Sequence, residues 1–205
     1  ITKVRVTGGE PFVRKGCCDF IETLTRVPGV ADISLTTNGI LLDRHLGRLA
    51  DIGIRRLNIS LDTLDRLKYQ RITGSDAFDR VWKNIQLAME MGFHPIKINT
   101  VALGGVNEDE LAALAGLTFK HPLHIRFIEQ MPLGGAWPKT GTPLLAPEIM
   151  ARLAALGRLE PVARQPFDGP ARRLRFIGAV GEIGFITAVS EHFCHTCNRL
   201  RLTAD

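Results

Sequence analysis

Two cysteines near the end of the chain, Cys194 and Cys197, stand in a C-x-x-C pair, and Arg199 and Arg201 follow at alternating positions. Outside a secreted protein, such a pair points to metal ligation or thiol redox chemistry rather than to a disulfide scaffold. Thiolates suit an iron–sulfur cluster or zinc. Spacing alone does not choose between them, and His192 and His195 would be extra donors for zinc. In an extended segment Arg199 and Arg201 share one face, so both guanidinium forks can reach one anion.

A second chemical signal is Lys97, inside the run "HPIKINTV". Ile96, Ile98 and Val101 suit a buried strand. A lysine in a dry interior costs several kcal/mol unless an anion or a hydrogen-bonding network meets it. A third signal is "TGGEP", directly after the first strand-like run. Two glycines there allow backbone to approach a ligand closely. The segment is neither a P-loop nor G-x-G-x-x-G. Taken alone, it reads as a tight turn.

Elements of alternating type must position these residues. Strand-like runs occur at 3–8, 31–38, 55–62, 94–101 and 123–129. Helical patterns intervene at "DFIETLTRV", "LLDRHLGRLADIG", "FDRVWKNIQLAMEMG" and "NEDELAALAGL", the last with Asn107 as its expected N-cap. Alternation at this spacing predicts parallel strands with crossover helices. Residues 131–205 change texture: a Gly/Pro-rich connection, the helix "APEIMARLAALG", a hairpin turning at Val180-Gly181-Glu182, and the Cys-bearing tail. We therefore expect a barrel-like part at 1–130 and a C-terminal extension at 131–205.

The five strands share a pattern. Val4 and Val6 oppose Lys3, Arg5 and Thr7; Ile33 and Leu35 oppose Ser34, Thr36 and Asn38; Leu57, Ile59 and Leu61 oppose Asn58, Ser60 and Asp62. Ile96 and Ile98 oppose Lys97 and Asn99; Ile125 and Phe127 oppose His124 and Arg126. Covered parallel strands ordinarily read as continuous apolar runs. Two arrangements fit: a sheet with one face in water, or a curved sheet whose polar faces line a wet lumen. The lysine and arginine among Ser, Thr and Asn favour the lumen, with an anionic ligand offsetting their burial.

Composition narrows the function classes. The chain has 205 residues, 45% hydrophobic and 23% charged, with a net charge of +5. It contains no 18-residue apolar run, no basic-then-apolar leader and no Lys/Arg tract, so we expect no membrane span, no nucleic-acid partner and a cytoplasmic location. Both ends break off within strand-like runs, so a fragment of a longer protein is expected. Cys17 and Cys18 read as small buried residues at the start of the first helix.

In order and spacing, "VRVTGGEP", "LTTNG", "NISLDTL", "KINTV", "RFIEQMPLGG" and "HFCHTCNRLRLTAD" closely resemble the radical S-adenosylmethionine enzymes, and among them the GTP 3′,8-cyclase family of molybdenum cofactor biosynthesis. The resemblance spans nearly the whole chain. It implies an α/β fold, an incomplete TIM-like (βα)6 barrel with its first βα unit missing, plus the C-terminal extension. The activity implied is S-adenosylmethionine-dependent cyclisation of GTP to 3′,8-cyclo-7,8-dihydro-GTP, followed by transfer to cyclic pyranopterin monophosphate synthase. S-Adenosylmethionine would meet Gly9, Ser60 and Met131. GTP would meet Arg5, Thr36, Lys97, Arg199 and Arg201. Cys194 and Cys197 would be two of three ligands of a second [4Fe–4S] cluster, the third lying beyond residue 205. The family's first-cluster motif, C-x-x-x-C-x-x-C, does not occur in this sequence, so the 205-residue chain alone is expected to be inactive. A homodimer is compatible with the resemblance. Three other readings stay open: a radical enzyme for a different substrate, a Schiff-base aldolase using Lys97, and a zinc-binding module without catalysis.

Overall fold

The Val- and Ile-rich runs form five parallel strands in this computed structural model, which describes residues 1–131, 143–163, 168–191 and 200–202. They are β1 (Lys3–Val6), β2 (Asp32–Thr37), β3 (Leu57–Ser60), β4 (Ile96–Ala102) and β5 (Leu123–Glu129). The helices among the described residues are α1 (Cys17–Thr25), α2 (Leu46–Asp51), α3 (Arg66–Thr73), α4 (Phe78–Glu90), α5 (Leu111–Lys120) and α6 (Ala146–Leu153). Residues beyond 131 add β6 (Leu159–Pro161), β7 (Arg172–Phe176) and β8 (Glu182–Ile186) to the same sheet. Its order is β1-β2-β3-β4-β5-β8-β7-β6. β8 runs parallel to β5, while β7 and β6 turn back antiparallel. The sheet thus has six parallel strands and two open edges among the described residues, which is an incomplete TIM-like barrel.

Alternation decides which face meets the helices. Leu35, Leu57, Ile59, Ile96, Ile98, Ile125, Phe127, Ile183 and Phe185 are buried, in one cluster with Ile21, Leu46, Leu49, Val81, Ile85, Leu114 and Ile149 from the helical side. Each such side chain stabilises the fold by roughly 1.5–3 kcal/mol through lost apolar exposure. The opposite face is also dry: Ser34, Asn58, Lys97 and Arg126 are 4%, 2%, 7% and 5% exposed. A sheet with one face in water would leave these side chains wet. The polar face is enclosed, as a lumen requires, but these four side chains are dry where a wet interior was expected.

Local differences from the sequence expectations have physical causes. The 41–53 helix is split: a 3-10 turn at Leu42–Arg44 precedes α2, with His45 at φ −121° between them. The His45 ring stacks on Phe12 at 4.4 Å, a tertiary contact that fixes the break. α3 escapes a periodicity reading because only Tyr69 is buried; Asp65 caps it by accepting from Lys68 N, and Gly74 closes it at φ 72°. Asn107 holds the N-cap position of the 3-10 turn Glu108–Glu110 that leads into α5, as expected, but its side chain does not cap it. Its Oδ1 accepts from Leu103 N, and its Nδ2 donates to Asp62 O and Val101 O, tying two loops together.

The hairpin also turns earlier than expected. β7 ends at Phe176, Gly178 takes φ 83°, and Glu182 already belongs to β8. Val180 N and Gly181 N both donate to Thr118 O, at 3.0 and 2.8 Å, docking this connection on the end of α5. A Cβ on Gly181 would stand 2.3 Å from Leu123 O and 2.7 Å from His121 O, both backbone atoms. Gly181→Ala is therefore expected to destabilise the chain by about 1–3 kcal/mol, measured by urea unfolding, because β8 must shift against β5.

Candidate active site

Register brings the polar residues into rows across the sheet. Arg5 faces Ser34, Thr36 faces Asn58, Asn58 faces Lys97, and Lys97 faces His124, which in turn faces Glu182. One step toward the C-terminal strand ends, Ser60 faces Asn99, and Asn99 faces Arg126. Arg126 reaches across β4 to Asn58, with Nη1 3.5 Å from Oδ1.

Lys3, Arg5, Ser34, Arg56, Leu57, Asn58 and Lys97 line a narrow shared recess on this face. Asp32 pairs with Lys3 and Arg56, each at 3.1 Å. Lys97 makes no ion pair or hydrogen bond among the described residues. Burial pushes its pKa from the ordinary 10.5 down to about 7, and the charges of Arg126, Arg56 and Lys3 push the same way. Burial likewise lowers Arg126 to about 10, helped by Arg5. Such a crowd of desolvated cations is a site that an anion would stabilise.

Beyond β5, on β7 and β8, the charges are matched. Glu182 receives a two-pronged fork from Arg173, at 2.8 and 2.9 Å, and a third bond from Arg175 at 3.0 Å. His124 Nδ1 lies 3.5 Å from the same carboxylate. Burial pushes the His124 pKa down to about 4, so its ring is neutral near pH 7.

The C-terminal ends of the strands carry a second group. Gly8 has φ 153°, and an added Cβ at Gly8 or Gly9 meets nothing within 4 Å, so this backbone lies open. Glu10 fixes the loop from behind, accepting from Thr37 Oγ1 at 2.8 Å, Asn38 N at 2.6 Å and Phe12 N at 3.3 Å. Ser60 ends β3 and is exposed beside Asn99 in the register. Asn99 Oδ1 and Ser34 Oγ are buried with no hydrogen-bond partner among the described residues. Orphaned polar atoms of this kind ask for a ligand. Met131, two residues past β5, is 46% exposed.

The expected site residues are thus partly assembled. Arg5 and Lys97 share the recess, and Thr36 lies in the row of Asn58 and Lys97. Gly9, Ser60 and Met131 all follow or end strands at one end of the sheet. Arg201 is exposed, and no contact ties it to the recess among the described residues. Cys194, Cys197 and Arg199 lie outside the described residues. Cys17 is buried at the start of α1, whereas Cys18 is half-buried with its Sγ 3.5 Å from His45 Nδ1. The sequence reading gave no role to Lys3, Asn99 or Arg126 and passed over Arg56. Arg56 shares the parity of Asn58, so the same alternation points to it.

Comparison with known proteins adds the family. The profile described as "Radical SAM superfamily" matches residues 1–118. The chain belongs to the radical SAM superfamily. A second profile, described as "Molybdenum Cofactor Synthesis C", matches residues 123–205. Among curated relatives, the chain is 49% identical to a GTP 3′,8-cyclase of Pelotomaculum thermopropionicum and 45% identical to one of Heliobacterium modesticaldum. All of this chain is covered in both cases, against 64% and 63% of those proteins. A radical SAM methyltransferase from Sphaerobacter thermophilus shares the fold, with a TM-score of 0.60 at 17% identity over 77% of this chain and 49% of that one. Radical SAM membership implies S-adenosylmethionine and [4Fe–4S] chemistry. The open Gly8–Gly9 backbone and the orphaned Asn99 Oδ1 beside Ser60 fit S-adenosylmethionine. For a cluster, the fit rests on the donor set: two thiols in C-x-x-C spacing suit iron and sulfide.

Proposed function

We propose that these residues form the substrate-binding part of a GTP 3′,8-cyclase of molybdenum cofactor biosynthesis, a lyase converting GTP to 3′,8-cyclo-7,8-dihydro-GTP. The chain spans 64% of the length of its GTP 3′,8-cyclase relative. The observation that carries the reading is the four-cation recess of Lys3, Arg5, Arg56 and Lys97 on the polar strand face. Asp32 already answers Lys3 and Arg56; an anionic nucleotide would supply the contacting counter-charge that Lys97 lacks among the described residues, and arginine forks grip phosphate oxygens two at a time. Arg199 and Arg201 would add to that grip from the extension, and Thr36 would orient the nucleotide.

Gly9, Ser60 and Met131 would hold S-adenosylmethionine at the C-terminal strand ends. When bound, that cofactor supplies the group that abstracts hydrogen. The chain's own residues place ribose and purine and exclude water. In this reading residues 1–130 are the barrel part and 131–205 the extension, where Cys194 and Cys197 supply two ligands of a second [4Fe–4S] cluster beside the one that cleaves S-adenosylmethionine. The product then goes to cyclic pyranopterin monophosphate synthase. A cytoplasmic location and a homodimer belong to the same reading; among the described residues, no helix is long and apolar enough to cross a membrane.

Binding is the direct test, because the sequence holds no C-x-x-x-C-x-x-C for turnover. Calorimetric titration should rank GTP above GDP and GDP above guanosine, with affinity falling as salt rises. Equal affinity for GTP and guanosine, or tighter binding of an unrelated anion, would remove the assignment.

A further inference from the structure

The row that carries Arg126 continues into the extension. Arg126 faces Gly184 on β8, and Gly184 faces Arg173 on β7. Both arginines therefore stand on the polar face, with Gly184 between them. A Cβ on Gly184 would lie 3.1 Å from Arg126 Cγ and 3.4 Å from Ala171 Cβ, so the segment just before β7 closes over this point beside Arg126. Asp168 belongs to that segment. Its carboxylate accepts from Arg173 Nη1 at 2.5 Å, and its side chain is 11% exposed. Arg173 is already matched without it, because Glu182 takes both prongs of the Arg173 fork and a further bond from Arg175.

Asp168 is thus a surplus carboxylate on a face whose other side is crowded with cations. Burial and neighbouring positive charges push the Lys97 and Arg126 pKa values down; among the described residues, Asp168 is the one group that pushes both of them up. On Lys97 the influence acts through space, since no carboxylate touches that ammonium among the described residues. A fixed negative charge that steadies these cations while the face is empty works against any anion that arrives. We infer that Asp168 is a built-in counter-anion of the polar face, which steadies its cations in the ligand-free chain and lowers its affinity for a phosphate-bearing ligand. That this ligand is a nucleotide rests on the function proposed above; the counter-charge itself stands on the placement of Asp168.

Asp168→Asn tests this, because it keeps the shape and an acceptor for Arg173 while removing the charge. Asp43→Asn is the control, since it removes the same charge from an exposed pair with Arg80 on the helical side. The whole chain is titrated calorimetrically with inorganic triphosphate, GTP and guanosine. Asp168→Asn should bind triphosphate and GTP about three- to tenfold more tightly than the parent, while Asp43→Asn stays within about twofold. Binding of uncharged guanosine should not change. Asp168→Glu, which restores the charge, should return to the parent affinity. In the ligand-free chain, the Lys97 ammonium followed by NMR should titrate about half a unit or more lower in Asp168→Asn, and at the parent value in the control. Asp168→Ser decides the matter if Asp168→Asn fails to fold. Triphosphate affinity that is unchanged or weaker in the folded variant, or that rises equally in Asp43→Asn, overturns the inference. Tighter triphosphate binding with GTP no better than guanosine supports the counter-anion and removes the nucleotide; tight GTP binding that the variant leaves unmoved does the reverse. If neither parent nor variant binds triphosphate or GTP, both fall.

Discussion

Replacing Lys97 by methionine is expected to weaken GTP binding by about 30- to 150-fold and to raise the melting temperature of the ligand-free chain. The two effects have one cause. Lys97 is 7% exposed among cations, and burial holds its pKa near 7 rather than 10.5. Protonating it in the empty fold is unfavourable, so methionine, of similar volume, relieves a penalty. That relief is worth about 2–4 °C per kcal/mol in a domain of this size. With a triphosphate bound the same charge is matched, and losing a buried charged partner costs about 2–3 kcal/mol, which sets the fold-change. The pH dependence has a definite sign. Because the folded pKa is depressed, the unfolded chain binds more protons between about pH 7 and 10.5. Ligand-free stability should rise with pH across that window, and Lys97→Met should flatten the rise. Melting curves from pH 6.5 to 9.5, with and without GTP, check all three statements.

The largest loss of stability is expected from Glu182→Ala, at about 3–5 kcal/mol. Glu182 is 4% exposed and is gripped by the Arg173 fork and by Arg175, with His124 beside it. Truncation leaves Arg173 with Asp168 and Ala163 O and withdraws the bridge between β8 and β5, and breaking a buried pair from one side costs about this much. Acid should weaken the same network. Burial raises the Glu182 pKa, but Arg173, His124 and Arg175 outweigh it and leave it lowered, so its contribution is lost as pH falls through the folded value. The His124 pKa is also depressed, to about 4, so from about 6.5 downward the unfolded chain takes up a proton that the folded chain refuses. Both effects point the same way, and stability should decline from pH 6.5 toward 4. His124→Asn should remove the upper part of that decline in a pH series of urea midpoints.

Much of the barrel was legible because alternation is a strong local signal. Ile96-Lys97-Ile98-Asn99 states which side chains go to which face before any pairing is known. Pairing itself was less legible. β8 lies in a segment that reads as a hairpin, and nothing local to Glu182–Ile186 shows that it docks parallel to β5. α3 was missed because a nearly all-polar helix held by Asp65 and Gly74 has no apolar stripe. Asn107 stands at the expected N-cap position, but its side chain bridges loops instead of capping, because both roles use the same residue type; its bond to Asp62, 45 residues away, distinguishes them. In the site, Lys97 stood out as a cation among isoleucines. Arg56 did not, because it opens the 55–62 strand-like run beside a second arginine, before the apolar alternation begins. Glu129 accepts from Ala146 N, Val189 N and Ser190 N, 17 to 61 residues away in sequence, so these bonds could not be read from its neighbours.

The account rests on Lys97 being a buried cation that a triphosphate completes. Its ammonium can be followed directly by NMR of chains labelled at the lysine side chains, with Lys97→Met assigning the signal. Titration without ligand should give a pKa near 7, and saturation with GTP should raise it by two units or more. A Lys97 that titrates like a surface lysine, or one whose pKa GTP leaves unmoved, would contradict the nucleotide site.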